Sequence, residues 1–201
     1  MAPRQTPFPV SKLRPDTVAA AQTLIGSVLW HKTREGISAG RIVETEAYIF
    51  GDPACHASRG MTQRNAVMFG PHGRAYIYFI YGMYHCFNVV TRPEGMGEAV
   101  LIRALEPLEG MDLMERRRKT ANPKLWCNGP AKLVLALGIH RAQNGEDLQR
   151  GNLRLLAPQS YPGWNSKKPH AIIAGPRIGI SVAKHWPLRF YIEGNGFVSK
   201  G

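Results

Sequence analysis

The stretch from residue 74 to residue 105 constrains the fold most strongly. Residues 74–81 and 84–91 read as two strands separated by a Gly82-Met83 turn, which makes them a hairpin. A third strand follows near 98–105, and an earlier one covers 37–50, where side chains alternate in character. Strands near 176–182 and 188–193 complete the set. Helical patterns are few. Asp16 or Thr17 caps one whose apolar positions Val18, Ala21, Leu24, Ile25 and Val28 recur at helical spacing. Leu108 to Lys119 reads as a second, with a basic end. Asn128-Gly129-Pro130 opens a short third as cap and first-turn proline, and Gly138 closes it. Strands without regular helical crossovers imply an α+β fold: a single domain with a curved, largely antiparallel sheet, surrounding helices and a protruding β-hairpin. Residues 1–14, rich in proline and polar groups, are expected to form a flexible arm, with 15–201 as the domain. Residues 51–73 read as an ordered, irregular loop, and residues 140–175 as polar and turn-rich.

Charge narrows the function. Among 201 residues, 26 Lys and Arg face 14 Asp and Glu, a formal charge of +12, so a polyanion is the first partner to consider. Residues 53–93 and 148–192 contain no carboxylate, and Arg116-Arg117-Arg118-Lys119 forms a basic cluster between them. A phosphate backbone favours such surfaces, whereas amphipathic basic helices of the membrane-surface type are not visible. No apolar run approaches the roughly 18–20 residues of a membrane span. The first residues lack the apolar core of a secretory signal. The three cysteines, Cys55, Cys86 and Cys127, are an odd count without a C-x-x-C pair. The histidines are scattered without ligand spacing. The chain is therefore expected to be a soluble intracellular domain with no metal or other cofactor.

Chemistry concentrates in Arg41-Ile42-Val43-Glu44-Thr45-Glu46-Ala47-Tyr48. In a strand, Ile42, Glu44, Glu46 and Tyr48 share one face. If that face is solvated, the two carboxylates simply sit in water. The functional reading makes Glu46, beside a tyrosine and near an irregular loop, the activator of a water. Two carboxylates roughly 6–7 Å apart also fit an inverting O-glycoside hydrolase that uses both Glu44 and Glu46. A second signal is the aromatic run from Tyr76 to Asn88. Aromatic residues suit a core strand, yet Tyr81 stands at the hairpin tip, where it can act as a wedge in a base stack; Tyr78 and Tyr84 offer flat faces for a base. Leu101 and Arg103 share a strand face, and a buried Arg103 needs an anionic partner, either an internal carboxylate or a phosphate. His56 lies in a basic, carboxylate-poor loop just after Glu46. A non-catalytic nucleic-acid binding module would keep the basic face and the wedge without needing Glu46.

Arg41 to Tyr48, Ala54-Cys55-His56, Gln63 to Gly70, Tyr76 to Asn88, Arg103 to Gly110, Asn128 to Leu133 and Pro187 to Asn195 together resemble the alkyladenine (methylpurine) DNA glycosylases. The resemblance runs from about Arg14 to Ser199. It implies a monofunctional hydrolase that flips damaged purines out of double-stranded DNA and leaves an abasic site. The expected substrates are 3-methyladenine, 7-methylguanine, hypoxanthine and ethenoadenine. By resemblance, Glu46 is the general base that deprotonates the attacking water, and Arg103 supports the carboxylate and the water. Tyr48, His56, Tyr78, Asn88 and Leu101 line the base pocket, with Tyr48 and His56 sandwiching the purine and Asn88 crowding the exocyclic amine of guanine. Tyr81 fills the gap in the duplex, and Met83 and Tyr84 accompany it in the minor groove. Between Tyr48 and His56 the chain is one residue shorter than the usual family loop. A monomer without membrane attachment is implied, in the nucleoid-bearing cytoplasm of a bacterium or the nucleus of a eukaryote.

Overall fold

A computed structural model describes residues 5–13, 16–80, 82–164 and 170–199. Its centre is β2 (Gly36–Tyr48), a long strand bordered on one side by β5 (Ala99–Glu109) and on the other by β1 (Val28–Thr33) and β8 (Arg189–Ile192). The sheet continues from β5 through β4 (Tyr84–Val90) to β3 (Ala75–Ile80). Beyond β1 it ends on β6 (Leu153–Leu156), and β8 carries β7 (Ile172–Gly175). Every pairing is antiparallel. The sheet is curled, with register shifts between β2 and β5 near Glu44. Among the described residues three α-helices accompany it: α1 (Thr17–Leu24), α2 (Met111–Arg118) and α3 (Pro130–Leu137). The α+β architecture inferred from the sequence is therefore observed.

One face of the sheet carries the core. Val43, Ala47, Ile77, Phe87, Val89, Val100, Ile102 and Ala104 are buried with Ala20, Ala21 and Leu24 of α1 and Leu133, Val134 and Leu137 of α3. The buried Thr45 hydroxyl donates to the Ala21 carbonyl at 2.9 Å, tying α1 to the same strand. Strand alternation then turns the intervening side chains of β2 to β5 toward the opposite face. That face holds the candidate site.

Several boundaries differ from expectation, each for a local reason. The first helix stops at Leu24 instead of reaching Val28, because Gly26 adopts a left-handed φ of +88° where a Cβ would strike the Trp164 ring. Asp16 caps that helix as expected, accepting from the Ala19 amide at 2.7 Å. Strand β5 runs on to Glu109 while still paired with β2, so the second helix begins only after Gly110. Two short strands, β1 and β6, were not anticipated. The expected strand at 176–182 is irregular; the neighbouring strand is β7, at 172–175. Residues 5–13, expected as part of a loose arm, are packed: the Phe8 amide donates to the Leu155 carbonyl at 3.0 Å, and Phe8 and Leu13 are buried.

The irregular loop after β2 is stitched down by polar side chains. Glu98 accepts the Phe50 amide at 3.1 Å and the Thr17 hydroxyl at 2.5 Å. Asn65 Nδ2 donates to the carbonyls of His56 and Gly60, and its Oδ1 accepts the Thr62 amide at 2.6 Å. The loop packs on Gly97, where an added Cβ would stand 2.6 Å from both Ala57 Cβ and Phe69 Cζ. Gly97→Ala is therefore expected to cost about 1–3 kcal/mol, lowering Tm by several degrees in calorimetry.

Candidate active site

Strand register assembles the site. Tyr76 on β3 pairs with Asn88 on β4, Asn88 with Leu101 on β5, Leu101 with Glu46 on β2, and Glu46 with Arg189 on β8. Directly paired residues of antiparallel strands point to one face, so this row runs across the sheet on its non-core side. Two residues along, Tyr78 pairs with Cys86, and Arg103 follows Leu101 on the same face. Above these rows lies a cavity of about 270 Å³, walled by Tyr48, His56, Tyr76, Tyr78, Asn88, Leu101 and Arg103. Ala54, Met68, Pro130 and residues 178–180 close its sides. All the residues expected to line a base pocket thus face one space, mostly aromatic and apolar with a few polar groups, as small-molecule sites are.

Both glutamates are fully buried, so the solvated-face reading fails. They differ in their partners. Glu44 Oε1 meets Arg103 Nε and Arg189 Nη1, each at 3.3 Å, and its carboxylate accepts the Ser199 amide at 2.8 Å and hydroxyl at 2.9 Å. Glu46 Oε1 meets the other end of the same guanidinium, Arg103 Nη1, at 3.2 Å and accepts the Ile178 amide at 2.8 Å. Glu46 Oε2 accepts the Tyr48 hydroxyl at 2.9 Å. Tyr48, Arg103 and Ile178 all line the cavity, whereas Arg189 and Ser199 do not. Glu46 therefore sits directly behind the wall, and Glu44 is held in a structural nest. Burial is the main influence on Glu46 and raises its pKa above 4.5, opposed by Arg103 and its hydrogen-bond donors. Burial also raises the pKa of Tyr48, keeping the phenol protonated as a donor to Glu46.

The wall is held in place from behind. Asn88 Nδ2 donates to the Tyr76 carbonyl at 3.0 Å, which fixes the plane of the amide. His56, exposed at the rim, shares a 3.0 Å hydrogen bond between Nδ1 and the Tyr76 hydroxyl and meets Tyr78 edge-on at 4.4 Å. Tyr76, Asn65 and the Ile178 amide escaped the sequence reading. Asn65, within the Gln63-Arg64-Asn65 motif, and Tyr76, at the head of the aromatic run, carried a signal, and the Ile178 amide carried none.

The hairpin supplies Met83 and Tyr84, which are 65% and 45% exposed. Tyr81, the expected wedge, lies outside the described residues. The Met83 amide donates to the Ile80 carbonyl at 3.3 Å, and Gly82 adopts a left-handed φ of +70°. The basic surface is smaller than the sequence implied. Arg117 binds Glu35 and the Ala136 carbonyl, Arg118 binds the Leu125 and Trp126 carbonyls, and Arg177 and Arg189 pair with carboxylates. Arg59 and Arg64 remain exposed on the loop that carries His56. Among the described residues no helix is long and apolar enough to cross a membrane, and no cluster of three or more potential metal ligands occurs.

The contrast between the two carboxylates has a measurable consequence. Glu44→Ala leaves buried guanidinium groups short of a counter-charge and is expected to cost about 3–5 kcal/mol. Thermal unfolding should show Tm falling by roughly 6–20 °C for a chain of this size. Glu46→Gln preserves shape and removes a buried charge, so its Tm is expected within a few degrees of wild type.

Comparison with known proteins gives the family. The family profile described as methylpurine-DNA glycosylase matches residues 11–196. A protein of Methanoculleus marisnigri is 50% identical over 193 residues, covering 96% of this chain and 98% of the relative. One from Francisella tularensis subsp. tularensis is 46% identical over 188 residues, covering 94% and 96%. One from Carboxydothermus hydrogenoformans is 45% identical over 185 residues, covering 92% and 94%. All three carry the name "Putative 3-methyladenine DNA glycosylase". With a profile spanning nearly the whole chain and relatives this similar end to end, the chain belongs to the methylpurine-DNA glycosylase family.

Proposed function

We propose that this chain is a monofunctional DNA glycosylase that extrudes damaged purines from double-stranded DNA and hydrolyses the N-glycosidic bond. The observation that carries the reading is Glu46: a buried carboxylate with one shared guanidinium, touching three walls of an aromatic cavity. A base inside a duplex does not expose its glycosidic bond, so the nucleotide must leave the stack to be cut. The flipped purine stacks among Tyr48, His56 and Tyr78, and the pinned Asn88 amide crowds the exocyclic amine of guanine. Glu46 takes a proton from water as it attacks the sugar carbon, and its charge stabilises the oxocarbenium-like transition state. Arg103 orients the carboxylate and the water. The aromatic faces attract electron-poor alkylated bases such as 3-methyladenine and 7-methylguanine; hypoxanthine and ethenoadenine are neutral substrates of the same pocket. Tyr81 enters the vacated stack, with Met83 and Tyr84 in the minor groove, and the enzyme acts as a monomer in a DNA-bearing compartment.

The partners of Glu44 argue against an O-glycoside hydrolase that needs both carboxylates, since Glu44 is held away from the cavity by Arg189 and Ser199. The decisive assay is base release from duplexes carrying one hypoxanthine or ethenoadenine. Wild type is expected to leave alkali-labile but uncut abasic sites, and Glu46→Gln to bind the same DNA without releasing the base. Release by Glu46→Gln at the wild-type rate would favour a different base, and release by neither enzyme a binding module.

The raised pKa of Glu46 fixes the sign of the pH dependence. The ionised carboxylate is the active form, so the single-turnover rate should fall as pH drops, with an acid limb centred above 4.5. Stability runs the other way: folding favours the protonated form, so the cost of burying the charge is present at neutral pH and relieved as pH falls through the raised pKa. A Tm advantage of Glu46→Gln at neutral pH should therefore shrink toward acid. For the wedge, Tyr81→Ser should slow excision from stable pairs more than from mispairs; equal loss on both would count against it.

A further inference from the structure

Behind Tyr48 lies an ion pair that the mechanism does not use. Arg177 places its guanidinium carbon 4.7 Å from the centre of the Tyr48 ring. Its Nη1 donates to the Ala47 carbonyl at 3.1 Å, and both terminal nitrogens engage Asp52, Nη2 to Oδ1 at 3.0 Å and Nη1 to Oδ2. Both side chains are completely buried. Asp52 also accepts the Ala54 amide at 2.9 Å, and its own amide donates to the Ile49 carbonyl, so it closes the turn that leads from Tyr48 to the pocket rim. Tyr48 lines the cavity and Arg177 does not, so the ring stands between the guanidinium and the bound base.

This arrangement has an electrostatic consequence for a cationic ligand. A guanidinium over one face of an aromatic ring draws on the same π-density that attracts a cation to the other face, and it repels that cation directly. A unit charge roughly 8 Å away, at an effective dielectric of about 20, changes occupancy about thirtyfold. Left alone, Arg177 would oppose the capture of positively charged alkylated purines. Asp52 cancels it. We propose that Asp52, by neutralising Arg177 behind Tyr48, sets the selectivity of the pocket for cationic over neutral damaged purines. The inference rests on the glycosylase reading above. The penalty falls on capture and not on bond cleavage, because the positive charge leaves the base for the sugar as the bond breaks and the repulsion is relieved.

The test compares duplexes carrying 7-methylguanine with duplexes carrying hypoxanthine, using the half-saturating enzyme concentration and the plateau rate in single turnover. Asp52→Asn should raise the half-saturating concentration for 7-methylguanine roughly ten- to thirtyfold relative to hypoxanthine, with the ratio of plateau rates not lowered. Arg177→Gln, which leaves the negative charge alone behind Tyr48, should move the same ratio in the opposite direction. Asp52→Glu keeps the charge while disturbing the bidentate geometry and should preserve the ratio even if the overall rate falls. A merely structural pair predicts that each variant weakens both lesions equally, and that result would overturn the proposal. Should Asp52→Asn fail to fold, the opposite shift in Arg177→Gln decides. Failure of the wild type to release either lesion would instead overturn the glycosylase reading, and this inference with it.

Discussion

One guanidinium, that of Arg103, holds the site together. Nε faces Glu44 and Nη1 faces Glu46, so a single cation on β5 spans two carboxylates on β2. Burying charge is costly unless each group is paired, and breaking such a pair is more costly than never having built it. The surrounding structure meets that demand unequally. Arg189 and Ser199 come from the end of the chain to complete Glu44, while Glu46 is left with a shared cation and two hydrogen bonds from the cavity wall. This inequality separates a carboxylate enclosed by its own partners from one held against the cavity wall, only two residues away.

The curled sheet supplies the rest. A row of paired residues, Tyr76–Asn88–Leu101–Glu46, places an aromatic ring, an amide, an apolar wall and a carboxylate side by side without any loop having to position them. Residues on rigid strands hold their geometry better than residues on loops. Loops then close the cavity, and they are themselves pinned: the segment bearing His56 by Asn65, Glu98 and Asp52, and the segment bearing Ile178 by Arg177 and the Glu46 carboxylate.

Charge shows most clearly how sequence and structure divide the information. The excess of Lys and Arg was visible at once, but several arginines it included are internal ties. Arg117 and Arg118 bind backbone carbonyls near α2, Arg177 stacks under Tyr48, and Arg189 holds Glu44. Charge counting cannot tell a guanidinium facing solvent from one that satisfies a buried carbonyl, because the partner is distant in sequence. The segment at 176–182 was misread as a strand for the same reason. Its Ile178 amide serves Glu46 instead of a ladder, a destination that no local pattern reveals.

The sequence by itself determined the antiparallel pairing of the strands on either side of Gly82, the cap of the first helix, the first-turn proline and closing glycine of the third, the strand that carries both glutamates, and, through several long motifs in order, the family. These are local features, set by side-chain period, turn glycines and capping groups within a few residues. Only the tertiary structure decided which carboxylate borders the cavity wall, how the Asn88 amide is oriented, and that Asp52 and Arg177 meet behind Tyr48. The Asn88 amide depends on a strand partner 12 positions away, and the other two on partners brought together across scores of residues, Arg177 to Asp52 over 125 positions and Ser199 to Glu44 over 155. Burial and pairing at such separations are properties of the folded sheet and not of any window of sequence.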